Sequence, residues 1–143
     1  MCYQIEAMEK LIFENDVKVF GIEVKTFPAG IGEAFDELIK RTGDCAGERN
    51  YYGISSMKND GKMIYKAVAE EKYDGEAKKL NYKEGVIEKG KYLYEALYYW
   101  RNKTCLIKDI FHSIMTDDHV DKTKPCVEWY KNDDEMLCMV KVK

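Results

Sequence analysis

A stretch of the chain recurs 73 residues further along, and this repeat restricts the folds that the chain can adopt. Residues 53–68, GISSMKNDGKMIYKAV, align with residues 126–141, CVEWYKNDDEMLCMVK, and both carry Lys-Asn-Asp at the same place. In the first copy Asn59-Asp60-Gly61 joins β-rich runs at 51–58 and 63–71, and Asp-Gly between such runs is typical of a β-hairpin. The second copy therefore predicts an equivalent hairpin over 125–131 and 135–142.

Each hairpin follows a predicted strand and a predicted helix. The strands cover Val17–Phe27 and 91–99, and Pro28-Ala29-Gly30 ends the first of them because proline cannot continue a ladder. Apolar residues then recur with helical spacing. The first stripe is Ile31, Ala34, Phe35, Leu38 and Ile39, ending near Gly43, and the second is Ile107, Ile110, Phe111, Ile114 and Met115.

Both halves thus read β-α-β-β, which predicts an α+β fold. We expect a single domain, 1–143, built from pseudo-repeats 10–71 and 82–143 with a polar linker at 72–81, an antiparallel sheet, and two helices on one face. The strand and hairpin keep the offset of 73, whereas the helix drifts by three residues. An α+β domain without internal duplication is the alternative.

Composition and motifs exclude several classes of function. The chain has 143 residues, 23 Lys plus Arg and 26 Asp plus Glu, so it lacks the basic excess that favours direct DNA binding. No signal peptide or apolar span long enough for a membrane is visible, which predicts a cytoplasmic protein without a membrane partner. The five cysteines form no C-x-x-C pair, and the spacing of His112 and His119 fits no common metal site. Neither a metal nor a cofactor is predicted.

Strand alternation assigns side chains to the two faces of the sheet. Phe20, Ile22 and Val24 are expected beneath the first helix, which leaves Tyr92, Tyr94 and Tyr98 of the second half on the other face. In the hairpins, Ile54, Val127 and Trp129 are expected beneath the helices. The residues then expected on the tyrosine face are Tyr51, Gly53, Ser55, Met57, Cys126, Glu128 and Tyr130.

This arrangement predicts a groove in which Glu128 is flanked by tyrosines. A carboxyl desolvated there would have a raised pKa and could attract a cation or transfer a proton. The alternative is an exposed sheet glutamate bonded to a tyrosine or a lysine. Trp100 follows the strand of the second half, as Phe27 ends the strand of the first half. It is expected either to line the side of the groove or to cover the edge of the core.

The segments VIEKGKYLYEAL at 86–97 and PCVEWYKNDDEMLCMVKV at 125–142, within the doubled β-α-β-β order, resemble the GyrI-like family of effector-binding domains, with its SHS2-type repeats. The resemblance implies a central cleft for small aromatic or cationic molecules, with a buried glutamate that maps to Glu128. The ligand-binding residues expected are Glu128, Tyr130, Tyr92, Tyr94, Tyr98, Trp100, Tyr51, Ser55 and Met57.

Three functions are compatible with this resemblance. The leading one is a small-molecule-binding domain, of the kind attached to transcription regulators, although no helix-turn-helix fits before Val17. The second is a hydrolase of reactive xenobiotics, in which Glu128 and a phenol such as Tyr130 would be catalytic. The third is a module that binds a partner protein such as a topoisomerase.

Overall fold

The computed structural model of the chain describes residues 9–27, 29–43, 49–132 and 134–143. They form an α+β fold in which an antiparallel sheet of eight strands curls into a half-barrel and carries three helices. The strands are β1 (Glu9–Phe13), β2 (Val17–Glu23), β3 (Tyr51–Met57), β4 (Met63–Glu70), β5 (Lys83–Ile87), β6 (Gly90–Tyr98), β7 (Cys126–Tyr130) and β8 (Glu135–Lys141). The helices are α1 (Ile31–Thr42), α2 (Glu76–Lys79) and α3 (Cys105–Met115). The order of strands across the sheet is β1-β6-β8-β7-β3-β4-β2-β5.

The two predicted apolar stripes form helices α1 and α3. Helix α1 buries Ala34 and Leu38, and it ends at Gly43, whose φ of +67° is readily adopted by glycine. Helix α3 buries Ile110 and Ile114. Both helices lie on the same face of the sheet, hereafter the helix face, because each buries its stripe against it.

The two predicted hairpins are present, and their registers agree with the offset of 73 residues. Met57 pairs with Met63 in the first hairpin, and their equivalents Tyr130 and Met136 pair in the second. Strands β3 and β7 lie side by side, where Ile54 pairs with its own equivalent, Val127. Each half contains a strand, a helix and a hairpin in that order, and the internal duplication stays an interpretation of this pattern.

The preceding strands do not keep that offset. Val19 of β2 pairs with Glu70, whereas its equivalent Tyr92 pairs with Lys141, two residues short of the position that the offset requires. The predicted strand Val17–Phe27 also ends early, at Glu23, because the chain turns there and Phe27 donates its N–H to the carbonyl of Val24.

Strands β1 and β5 and helix α2 were not predicted from the sequence. Strand β5, KEGVI, buries only Ile87, and such polar edge strands carry no alternating signal. Helix α2 lies within the predicted linker 72–81. It is held by Arg49, whose guanidinium donates to both carboxylate oxygens of Glu76 at 2.7 Å. In the part of the chain that the structure describes, no helix is long and apolar enough to cross a membrane.

Both faces of the curled sheet are buried over much of their area. On the helix face, α1 and α3 cover two apolar clusters centred on Phe20, Tyr65 and Leu38 and on Leu93, Met136 and Ile114. The opposite face carries a third cluster, which consists of Val19, Tyr52, Val68, Ile87, Tyr92, Val127 and Met139. The curl thus buries a face that would be exposed in a flat sheet with helices on one side.

Candidate functional site

The central strands β3 and β7 form the strip of sheet between the two helices. Helix α1 packs mainly on β4 and α3 mainly on β8, the outer neighbours of these strands. On the helix face of the strip, Tyr51 lies opposite Tyr130 and Gly53 lies opposite Glu128. We call this strip, with the side chains above it, the interhelical site.

Glu128 is the buried acid of the interhelical site. It is 9% exposed, and its Oε1 accepts hydrogen bonds from the hydroxyls of Tyr65 at 2.8 Å and Tyr130 at 2.5 Å. Burial raises the pKa of Glu128 because the charged form is desolvated, and the two tyrosine hydrogen bonds offset only part of this rise. Glu128 is therefore a poorly solvated acid whose ionisation depends on its surroundings.

The two tyrosines remain protonated donors at neutral pH. Burial raises the pKa of Tyr65 and of Tyr130, and the neighbouring Glu128 carboxyl raises both further. Gly53 makes room for this triad, because a Cβ atom there would lie 2.0 Å from the Tyr65 hydroxyl and 2.6 Å from Glu128 Oε1. A larger residue at position 53 would therefore displace the Tyr65 hydroxyl or the Glu128 carboxyl.

No cationic side chain neutralises Glu128. All 23 lysines and arginines of the chain fall within the residues that the structure describes, and none of them forms an ion pair with this carboxyl. Hydrogen bonds from the described residues reach the carboxyl only through Oε1. Buried acids in proteins are usually paired with a cation, so the unpaired state of Glu128 is exceptional.

Aromatic rings from both halves of the chain meet around this acid. The Tyr130 ring contacts Phe35 of α1 edge-on, with centroids 5.3 Å apart, and Trp100 at 5.0 Å. The Tyr65 ring stacks on Phe27 at 4.9 Å. Phe35 also contacts Tyr51 edge-on at 6.3 Å. The site is therefore lined by rings and covered by the contacts of Tyr130 with Phe35 and Trp100.

The predicted faces of β3 and β7 were wrong. Ile54, Val127 and Trp129 lie on the opposite face, whereas Tyr51, Cys126 and Tyr130 pack on the helix face. The prediction assumed that the more apolar side of a strand faces the helices. Because the half-barrel also buries its other side, both sides of these strands are apolar enough to be core, and hydrophobicity does not distinguish them.

As a result, the structure does not bring Tyr92, Tyr94 and Tyr98 to Glu128. Tyr92 is buried in the cluster of the opposite face and donates its hydroxyl to the carbonyl of Glu88 at 2.7 Å. Tyr94 donates to Glu9 at 2.8 Å, and Tyr98 is 56% exposed. The common hollow expected for these tyrosines and Glu128 is absent from the described residues.

The other predicted site residues lie at varying distances from the centre of the interhelical site. Tyr51 and Trp100 belong to the aromatic lining. Ser55 is half-buried opposite Cys126, and Met57 is 64% exposed at the end of β3. Burial raises the pKa of Cys126 to about 11, so it is a protonated thiol at neutral pH.

The positions of Tyr65 and Phe35 in the interhelical site were not predicted from the sequence. Tyr65 lies in β4 on the same side as Ala67 and Ala69. These small residues, together with Gly53, indicate that a large side chain occupies the space above them. Phe35 was identified only as part of the helical stripe. Within the described residues, no group of three or more His, Cys, Asp or Glu side chains is arranged to hold a metal ion.

Comparison with known proteins yields matches among solved structures only. No protein-family model matches the chain, and no curated protein matches it. The structure of SAV2435 bound to tetraphenylphosphonium has a TM-score of 0.68 and 17% sequence identity, covering 100% of this chain and 94% of that one.

Two further structures share the fold. A protein of Staphylococcus aureus, provisionally described as a transcription regulation protein, has a TM-score of 0.59 and 16% identity over 99% of both chains. A hydrolase from Listeria innocua has a TM-score of 0.56 and 10% identity, covering 95% of this chain and 91% of that one. At these identities, the comparisons show that the chain has the same fold as these proteins.

Proposed function

We propose that this chain binds small apolar cations, aromatic ones in particular, in the interhelical site, as GyrI-like effector-binding domains do. The observation that carries the proposal is the buried carboxyl of Glu128, which is held by two tyrosine hydroxyls and forms no ion pair with any lysine or arginine of the chain. An apolar cation would supply the missing charge without requiring water around the acid.

The aromatic lining supports a ring-bearing cation. Tyr130, Trp100 and Phe35 present π faces or edges near the acid, and a cation over such a face gains about 0.5–2 kcal/mol. SAV2435, which shares the fold, is bound to tetraphenylphosphonium, a cation enclosed by four phenyl rings. We expect Phe35 and Trp100 to move away from Tyr130 when a ligand of that size enters.

The direct test is titration of the protein with tetraphenylphosphonium by calorimetry, with neutral triphenylphosphine oxide as the matched ligand. The cation is expected to bind with micromolar affinity and the neutral compound much more weakly. Glu128→Gln should weaken binding of the cation by about 1–3 kcal/mol, because a charge-assisted contact is lost.

Glu84→Gln is the matched control, since Glu84 is an exposed glutamate on the edge strand β5. It should leave the affinity unchanged. Equal binding of the cation and the neutral compound, or full affinity in the Glu128→Gln variant, would refute the proposal.

A hydrolase is the second candidate, because the same geometry can transfer a proton. Glu128 with its raised pKa lies 2.5 Å from the Tyr130 hydroxyl, and a hydrolase from Listeria innocua shares the fold. If this candidate is correct, a reactive electrophile should be consumed with turnover. Glu128→Gln should then abolish turnover while a non-reactive analogue still binds.

A further inference from the structure

A cavity of about 600 Å³ lies on the face of the sheet opposite the interhelical site. Its apolar lining includes Ile54, Val127 and Ile87, and the last two are each 2% exposed. Ile54 and Val127 are the paired residues at the centre of the sheet, so the cavity lies behind the floor of the interhelical site. Its volume falls within the range of ordinary small-molecule pockets.

Three lysines surround this apolar floor: Lys89, Lys124 and Lys141. The ammonium groups of Lys124 and Lys141 approach the same oxygen, Oε1 of Glu88, at 2.9 and 3.4 Å. The pKa of Glu88 is lowered by these two lysines, Lys124 having the larger effect. Two positive charges therefore converge on a single carboxylate.

Acids also lie among these lysines. The lining contains the three lysines and two acids, Asp16 and Glu88. Asp16 accepts the backbone N–H of Lys89 at 2.8 Å. The side-chain ammonium of Lys89 forms no ion pair among the described residues. Asp121, which is not part of the lining, accepts the N–H and hydroxyl of Thr123 and also attracts Lys124 and Lys141.

The backbone is shaped to let Lys141 reach this position. Gly90 has a φ of +134°, which favours glycine, and a Cβ atom there would lie 2.9 Å from Cε of Lys141. The buried Tyr92 donates its hydroxyl to the carbonyl of Glu88, which fixes the backbone that carries the shared carboxylate. Gly90 and Tyr92 thus help to hold Lys141 and Glu88 in these positions.

We propose that this cavity, hereafter the lysine cavity, binds an amphipathic organic carboxylate. Its carboxylate would lie between Lys124 and Lys141, and its apolar ring or chain would cover Ile54 and Val127. The ligand would compete with Glu88 for the two ammonium groups. This site is separate from the interhelical site and takes a ligand of opposite charge.

The test uses 1-naphthaleneacetate and, as its neutral counterpart, 1-naphthaleneacetamide, with binding followed by methyl NMR shifts of the whole chain. The carboxylate should bind at least about tenfold more tightly than the amide, a difference of about 1.4 kcal/mol. It should shift the methyls of Ile54, Ile87 and Val127 and leave those of Ile107 in α3 unchanged. Equal affinity of the two compounds, no binding, or shifts confined to α3 would overturn the proposal.

Three variants test the role of the charges. Lys124→Gln with Lys141→Gln should weaken carboxylate binding about fivefold or more, whereas Lys108→Gln, an exposed lysine of α3, should not change it. Glu88→Gln should tighten binding, because it removes the internal competitor. Weaker binding in Glu88→Gln would show that the cluster is only structural. The comparison of acid and amide in the unaltered protein does not depend on how any variant folds.

Discussion

At the scale of single residues, Glu128 combines burial with the absence of an ion pair among the described residues. Its pKa is raised in the folded chain, so the folded state holds a proton that the unfolded chain releases at lower pH. Between those two pKa values the folded state binds more protons than the unfolded state. The contribution of Glu128 to stability is therefore fully present at low pH and is lost as the pH rises through its raised pKa.

We predict that replacing Glu128 removes this loss of stability at higher pH. The free energy of unfolding of the Glu128→Gln variant, minus that of the parent, should increase as the pH rises above the ordinary pKa of a glutamate. Urea denaturation at several pH values measures it, with Glu84→Gln as the control for the loss of an exposed carboxyl. A difference that is flat or declines for Glu128→Gln would mean that the carboxyl is ionised at little cost.

Gly53 gives a second prediction at this scale. A Cβ atom at this position would meet the Tyr65 hydroxyl and the Glu128 carboxyl, so Gly53→Ala should break the hydrogen-bonded triad and destabilise the fold by about 1–3 kcal/mol. Gly32→Ala is the matched control, because Gly32 lies in α1, where an added Cβ atom would have nothing within 4 Å. There alanine should stabilise the chain by about 0.5–1 kcal/mol.

Thermal or urea unfolding of the two glycine variants provides the measurement. Effects of the same sign in both would contradict the prediction. Binding of tetraphenylphosphonium should also fall in Gly53→Ala and remain unchanged in Gly32→Ala.

At the scale of elements, the short helix α2 is attached by one buried ion pair. Arg49 and Glu76 have side chains only 4% and 5% exposed, and the carboxylate is bonded through both oxygens. The Arg49 hydrogen bonds hold the pKa of Glu76 below its ordinary value, so this stabilisation is lost as the pH falls through that lowered pKa.

Replacing Glu76 removes both hydrogen bonds that its carboxylate accepts from the buried Arg49 guanidinium. We predict that Glu76→Gln lowers the free energy of unfolding by about 3–5 kcal/mol. Asp74→Asn is the control, since Asp74 pairs with Lys18 at an exposed surface and should cause no measurable change. Denaturant unfolding of both variants measures these changes in the free energy of unfolding. A loss under about 1 kcal/mol for Glu76→Gln would show that the ion pair contributes little to stability.

At the scale of the whole molecule, the two tryptophans lie on different faces of the sheet. Trp100 contacts Tyr130 in the interhelical site, whereas Trp129 packs in the cluster of the opposite face. We predict that tetraphenylphosphonium changes the emission of Trp100 selectively. In fluorescence titrations the response should be lost in Trp100→Phe and retained in Trp129→Phe. Retention in Trp100→Phe together with loss in Trp129→Phe would place the cation on the wrong face.

Much of the architecture could be predicted from the sequence because it depends on local patterns. The apolar stripes of α1 and α3 and the turns of both hairpins are each contained in one short segment. Glu128 was also predicted as a candidate, because strand alternation placed it on the tyrosine face and the family resemblance maps a buried glutamate to it. The edge strands β1 and β5 were missed since their residues are largely exposed and carry no strong periodicity.

Local sequence patterns were enough to predict the α+β class, the two long helices and the two hairpins. Which side of β3 and β7 faces the helices, and hence which aromatic residues surround Glu128, depends on how the whole sheet curls. The curled sheet buries both of its faces, so Tyr130 and Trp129, neighbours in one strand, pack against core clusters on opposite sides of it. Alternation separates such residues into two sets, but burial on both sides leaves no difference in hydrophobicity to say which set meets the helices.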